Sequence, residues 1–278
     1  MRSWFCCSPH VQAVAAFATS CTYNCLYVTD RGTWKQFGPP FTSSSKPLIV
    51  RSYISPHGIA SNGTYLAVSS TSSKRIAIYK QNVTNTTGAN FAVTAAGIPR
   101  FIAFDRQGGL WVPTPNEVQK FQSPLSSTST AGVTIPVSNP GAVAADAYRN
   151  VYVTQIQVYG SGNTPPRSAL LRYTPPYTGK PIATLFGWQL NGVAIYGNKI
   201  VVTAYLPVSC ECVSLFYSTL PLTSSSKWTP MNTDGQAFAP AFDSSGHLYV
   251  NGGPSFAMDS GNFNNGVGNG PAQAAIGP

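Results

Sequence analysis

The side chains of this chain that can move protons, bind metals or form covalent bonds are three histidines, eight carboxylates and six cysteines. Their spacing limits what they can do. His57 lies in Pro56-His57-Gly58, directly before the small apolar run Ile59-Ala60, so it sits where a strand begins. A histidine there can bind a ligand or transfer a proton, because its ordinary pKa lies near neutrality. His247 is set in a turn and reads as a surface residue, and His10 lies near the N-terminus. The carboxylates are Asp30, Asp105, Glu117, Asp146, Glu211, Asp234, Asp243 and Asp259. Asp105, Asp146 and Asp243 each follow an apolar segment and precede turn-forming residues, the pattern of an Asp that caps its own turn. Asp30 stands apart from that slot and, as a lone carboxylate, reads as a turn residue and not as a metal ligand.

Other chemistries find no support. No Gly-x-Ser-x-Gly elbow exposes a serine, and no Gly-rich loop runs into Lys-Ser or Lys-Thr, so acyl transfer and phosphoryl transfer are disfavoured. The cysteines fall as Cys6-Cys7, Cys21 with Cys25, and Cys210 with Cys212, without a Cys-x-x-Cys pair or histidines at zinc-site spacing. Disulfides are the better reading. Cys21 and Cys25 flank a turn they can bridge. Adjacent or i,i+2 cysteines bond each other only with strain, which leaves Cys6 or Cys7 with Cys210 or Cys212 as the cross-link. Such bridges imply an oxidising compartment, extracellular or at the cell surface. Asn62-Gly63-Thr64, Asn82-Val83-Thr84 and Asn85-Thr86-Thr87 are sequons that carry meaning only in a eukaryotic secretory pathway.

Only 9% of residues are charged, against about 25% in an average soluble domain, and 25 Gly and 23 Pro accompany much Ser, Thr, Asn and Tyr. This composition favours strands and tight turns over long helices. No run approaches the roughly 18 apolar residues of a membrane span. Val11 to Ala18 superficially resembles a short secretion signal, but it fits the repeat described next. The net charge is +9, and the basic residues are scattered singly apart from Lys74-Arg75, which argues against a nucleic-acid partner.

The elements that position these residues come from a repeat. An apolar residue, any residue, then Val recurs as Leu26-Tyr27-Val28, Leu66-Ala67-Val68, Leu110-Trp111-Val112, Val151-Tyr152-Val153, Ile200-Val201-Val202 and Leu248-Tyr249-Val250, at intervals of 40, 44, 41, 49 and 48 residues. Upstream of the triplets lie small apolar segments such as Gly58-Ile59-Ala60 and Gly192-Val193-Ala194, joined to them by turn formers such as Asn62-Gly63 and Gly197-Asn198. Each pair reads as a β-hairpin. A third alternating segment follows in five repeats, as in Arg75 to Tyr79, and a fourth in several, as in Phe91 to Ala96. Four short strands per repeat predict an all-β, six-bladed β-propeller with four-stranded antiparallel blades.

Segments such as Pro99-Arg100-Phe101-Ile102-Ala103-Phe104-Asp105 leading to Gly109-Leu110-Trp111-Val112 resemble NHL-type repeats and the wider six-bladed superfamily that includes the SMP-30/gluconolactonase type. The resemblance implies a central channel whose mouth carries function. His57, Arg100, Asn191 and Asp30 are the candidate binding residues there. The SMP-30 type holds one divalent ion with Glu, Asn and Asp. The scarcity of acids here leads to the expectation of no cofactor, a divalent cation remaining the alternative. Virginiamycin B lyase-like propellers use a His, a carboxylate and a metal, and their aromatic-rich strand ending in Thr-Glu is missing from this sequence.

Residues 1–254 read as one propeller domain and 255–278 as a Gly/Asn-rich C-terminal segment, because the sixth repeat looks unfinished after Val250. Residues 1–10 are then the closing-strand candidate, with residues 255–270 folding back to complete their own blade as the rival. The leading expectation is a secreted or cell-surface propeller that binds or scaffolds without catalysis. Its blade-end loops would engage a carbohydrate, a protein or a neighbouring subunit. The alternatives are a metal-assisted lyase or lactonase at the channel mouth and a structural subunit that self-assembles by strand exchange.

Overall fold

The structure is a computed structural model that describes residues 11–16, 25–30, 32–39, 45–80, 83–86, 88–156, 168–186, 189–205, 214–231, 239–242, 246–252, 255–259 and 274–276. The chain is an all-β propeller of antiparallel sheets. The described strands form six four-stranded sheets, each built from strands consecutive in sequence. The first sheet comprises β1 (Val11–Ala16), β2 (Leu26–Asp30), β3 (Thr33–Phe37) and β4 (Ile49–Ser52). The second comprises β5 (Pro56–Ser61), β6 (Tyr65–Ser70), β7 (Ser73–Lys80) and β8 (Phe91–Thr94). The third comprises β9 (Ala103–Phe104), β10 (Leu110–Thr114), β11 (Glu117–Phe121) and β12 (Ala131–Pro136). The fourth comprises β13 (Pro140–Ala145), β14 (Val151–Gln155), β15 (Ser168–Tyr173) and β16 (Ile182–Phe186). The fifth comprises β17 (Gln189–Tyr196), β18 (Lys199–Tyr205), β19 (Ser214–Thr219) and β20 (Thr229–Met231). The sixth comprises β21 (Pro240–Phe242), β22 (Leu248–Gly252), β23 (Ser255–Asp259) and β24 (Ala274–Ile276).

The triplets occupy the second strand of every sheet. Val28, Val68, Val112, Val153 and Val202 are fully buried and Val250 is 3% exposed. Burial on both faces accounts for the near-continuous apolar character of these strands. The hydrophobic core is divided into layers between neighbouring sheets. One packs Trp34 and Tyr27 against Leu66 and Tyr79, and another packs Tyr152 and Leu170 against Ile200 and Val202. The first strands β1, β5, β9, β13, β17 and β21 pack in sequence around a ring, and β21 returns to β1.

The hairpin-slot aspartates act as the sequence suggests. Asp146 Oδ1 accepts from the backbone amides of Tyr148 and Asn150, both at 2.8 Å, and Oδ2 accepts from Tyr152 Oη at 3.1 Å. Asp105 caps Gln107 and Gly109 in the same way, accepts from Trp111 Nε1 at 3.0 Å, and pairs with buried Lys120 at 2.7 Å. Asp243 lies outside the described residues.

Closure departs from expectation. The C-terminal residues do not stand apart from the sheets, since Leu248–Gly252 pairs with Ser255–Asp259, which in turn pairs with Ala274–Ile276. Strand β22 is therefore flanked by β21 and β23 and has no free edge for residues 1–10 or for a strand from another molecule. The alternation in Ser255–Asp259 is too short, and the intervening Gly and Asn too many, for the sequence pattern to announce these strands. Residues 1–10 lie outside the described residues, and so do Cys6, Cys7, Cys21, Cys210 and Cys212. Cys25 is buried, disulfide-bonded, and accepts a hydrogen bond from Gln36 Nε2 at 2.9 Å.

Candidate binding site at the channel mouth

Three of the four candidate residues share one structural position. Ile59, Val143 and Val193 lie opposite the triplet valines Val68, Val153 and Val202. Trp111 pairs with Ala103, which places Ile102 opposite Val112. Two residues upstream of these partners stand His57, Gly141, Asn191 and Arg100. In the second, fourth and fifth sheets this position falls inside a register shift, between Pro56 and Ile59, Pro140 and Val143, and Leu190 and Val193. Such a β-bulge adds a residue to the inner strand and re-aims its side chain. The bulges occur at the start of the inner strands, so these positions gather at one end of the channel. Asp30 closes β2 opposite Val11 and follows Thr29, whose hydroxyl donates to the His57 carbonyl at 2.8 Å. Its backbone therefore lies at the same end.

Hydroxyls from the second strands fix the bulges. Ser69 Oγ accepts from Gly58 N at 2.7 Å and donates to the Arg100 carbonyl of the next sheet at 3.0 Å. Thr154 Oγ1 accepts from Ala142 N at 2.7 Å and reaches the Asn191 carbonyl at 3.5 Å, and Thr203 Oγ1 accepts from Gly192 N at 2.8 Å. Each hydroxyl thus satisfies an amide that the bulge removes from the ladder, and most also tie one blade to the next. Gly58 is required by this close approach, since a Cβ there would lie 2.4 Å from the Arg100 carbonyl oxygen. The sequence reading missed these hydroxyls. Their signal was visible as Ser or Thr directly after the triplet in Val28-Thr29, Val68-Ser69, Val153-Thr154 and Val202-Thr203.

The side chains at the mouth differ in their commitments. The His57 ring stacks on Phe101 with centroids 4.4 Å apart. Burial and then the nearby Arg100 charge lower its pKa to about 4, against an opposing hydrogen bond to the Arg100 backbone, so it is neutral at pH 7. His57 Nδ1 is buried and has no hydrogen-bond partner among the described residues. Arg100 donates from Nη1 to the Pro140 carbonyl at 2.8 Å and from Nη2 to Asn139 Oδ1 at 2.6 Å, and burial lowers its pKa. Asn139 itself holds φ at +51° and donates to the Ile156 carbonyl at 2.6 Å. Arg100 therefore has a structural duty between blades, whereas Asn191 is partly exposed.

Among the described residues no group of three or more His, Cys, Asp or Glu is placed to hold a metal ion. Asp105 and Asp146 are consumed by their turns. No helix among the described residues is long and apolar enough to cross a membrane.

A ring of antiparallel sheets around a channel, with its variable positions at one mouth, defines a β-propeller. Solved structures agree on the fold. A streptogramin B lyase matches with 10% identity and a TM-score of 0.51, over 88% of this chain and 91% of that one. The PQQ-bound aldose sugar dehydrogenase of Streptomyces coelicolor matches with 14% identity and a TM-score of 0.60, over 94% and 91%. A chain of the mitotic checkpoint complex matches with 15% identity and a TM-score of 0.59, over 87% and 72%. No protein-family profile and no curated protein sequence matches the chain. At these identities the likeness concerns fold alone, and the NHL or SMP-30 type is not confirmed.

Proposed function

We propose that the protein is a secreted or cell-surface six-bladed propeller, related to the NHL-type group, that acts as a non-catalytic binding module. Its recognition ring is His57 and Asn191, with Asp30 beside them and Arg100 bracing the blades. The observation that carries this reading is that His57 and Asn191 stand at the bulges of two different inner strands, with Arg100 at the matching position ahead of a third. A neutral imidazole stacked on a phenyl ring and an amide at the same end of the channel suit a neutral hydroxyl-rich ligand, because amide and imidazole both offer donor and acceptor groups. A carbohydrate is the ligand class this favours, with a protein surface as the broader alternative. Titrating the wild type, His57→Ala and Asn191→Ala against a panel of neutral oligosaccharides tests it. At least one saccharide should bind, with affinity falling tenfold or more in each variant. Binding that both substitutions leave intact would remove the mouth from the account.

A second reading is favoured by the unpartnered Nδ1 of His57, which as a neutral base can accept a proton. In that reading the mouth is the active site of a lyase or lactonase. Turnover of a lactone panel that vanishes in His57→Gln, with a rate rising through about pH 4, is its signature.

A further inference from the structure

The other half of the channel is built from different chemistry. Beyond the bulges the inner strands β5, β9, β13, β17 and β21 enclose a cavity of about 270 Å³, lined by residues such as Ile59, Ile102, Ala144, Val193 and Ala241. No Asp, Glu, His, Lys or Arg lines it among the described residues, and Ser61 supplies the only side-chain hydroxyl. The sixth inner strand, Val11–Ala16, has the same small apolar composition, Val-Gln-Ala-Val-Ala-Ala. The inner strands β5, β13 and β17 are the edges of their sheets, so main-chain N–H and C=O groups on that side turn toward the channel, where Phe101 and Ala142 form one bridge.

A second hollow of about 650 Å³ adjoins this cavity on the side of the Asn62–Tyr65 and Asp105–Gly108 turns. Ser61, Phe104, Ala145 and Ile195 border both spaces, which gives the cavity an entrance. The two linings select the occupant. A charge would find no counter-charge and would pay a large desolvation penalty, which excludes carboxylates, ammonium groups and metal ions. A purely hydrocarbon occupant would leave the edge amides unpaired. The volume lies just below the roughly 300–1,000 Å³ of drug-sized ligand pockets, which sets the scale at one ring or a short chain.

We propose that this cavity binds a small uncharged ligand that joins an apolar ring or chain to one hydrogen-bonding group, of the lactam or cyclic alcohol class, admitted from the hairpin-turn face. The proposal is independent of the ring at His57 and Asn191. The test is calorimetric and NMR titration with ε-caprolactam and cyclohexanol, against cyclohexanecarboxylate and cyclohexylammonium as charged counterparts of similar size. The neutral probes should bind saturably at millimolar concentration or below and at least tenfold more tightly than the charged ones. They should shift the amides of Ala103, Ala144 and Ala194. Ala145→Leu should weaken binding at least tenfold, and Val50→Thr on the exposed outer strand β4 should leave it unchanged. If Ala145→Leu does not fold, Ala194→Val and the amide-shift map decide the question. Equal binding of cyclohexylammonium, shifts confined to residues outside the cavity, or no saturable binding of either neutral probe would overturn the proposal.

Discussion

Acid should destabilise the protein through His57 in a defined window. The folded-state pKa is about 4 and the ordinary value is 6.5. Between those two values the unfolded chain binds a proton at this residue and the folded chain does not. Stability from this residue is therefore complete above pH 6.5 and is lost progressively as pH falls toward 4. At about 1.4 kcal/mol per pH unit, that gap amounts to about 3 kcal/mol. A domain stable by roughly 5–15 kcal/mol would feel such a loss strongly.

Urea denaturation of wild type and His57→Gln at pH 7 and pH 4 isolates the effect. Gln keeps a donor and an acceptor but does not titrate. The aspartates titrate alike in both proteins, and the loss of the Phe101 stack is the same at both pH values, so each cancels in the comparison. The wild type should lose about 3 kcal/mol more than the variant on acidification. The His57 ring proton should titrate by NMR with a midpoint near 4. A midpoint at or above 6.5, or equal acid losses in the two proteins, would refute burial and the Arg100 charge as the controlling forces.

Val153→Asp should cost more than about 4 kcal/mol in chemical denaturation, because an unpaired carboxylate would enter a fully buried strand. Asp105→Ala strands the Lys120 ammonium in the interior and should cost about 3–5 kcal/mol by the same measurement, with part recovered when Lys120→Met is added. Thr154→Val removes the acceptor of the Ala142 amide and should cost about 1–3 kcal/mol, with faster hydrogen exchange at that amide. Truncation after residue 254 removes β23 and β24 and should produce aggregate in size-exclusion chromatography, because it exposes the β22 edge.

What the sequence made legible follows from which interactions are periodic. The triplet valines and the hairpin aspartates recur because every blade needs a buried second strand and a capped turn, so their positions could be read directly. The mouth was half legible. His57, Arg100 and Asn191 could be singled out by type and by their place before a small apolar run, but their equivalence depends on a register shift that only the ladder pairings reveal. Asn139, which holds Arg100, lies outside any repeat signature. The last two strands were legible only as the rival to closure by residues 1–10, because weak alternation and a Gly/Asn-rich connection hide a pairing that tertiary closure imposes.

The bulge architecture also explains why function concentrates at the mouth and not along the strands. The hydroxyls of Thr29, Ser69 and Thr154 bond to the carbonyls of residues 57, 100 and 191, and those of Ser69, Thr154 and Thr203 to the amides of 58, 142 and 192. All of these contacts are made to the main chain. The fold therefore fixes where the side chains at 57 and 191 begin without dictating what they are, and the chain uses His and Asn there, whereas at 141 a Cβ would lie 2.8 Å from Thr154 Oγ1 and glycine is required. Arg100 is the exception, because its guanidinium has been drafted into holding Asn139 and Pro140. Substituting Arg100 should consequently weaken the third and fourth blades and binding together, whereas substituting Asn191 should change binding with little effect on melting. A ring specified by backbone and open in side chain is the arrangement in which one propeller can acquire a new ligand without rebuilding its core.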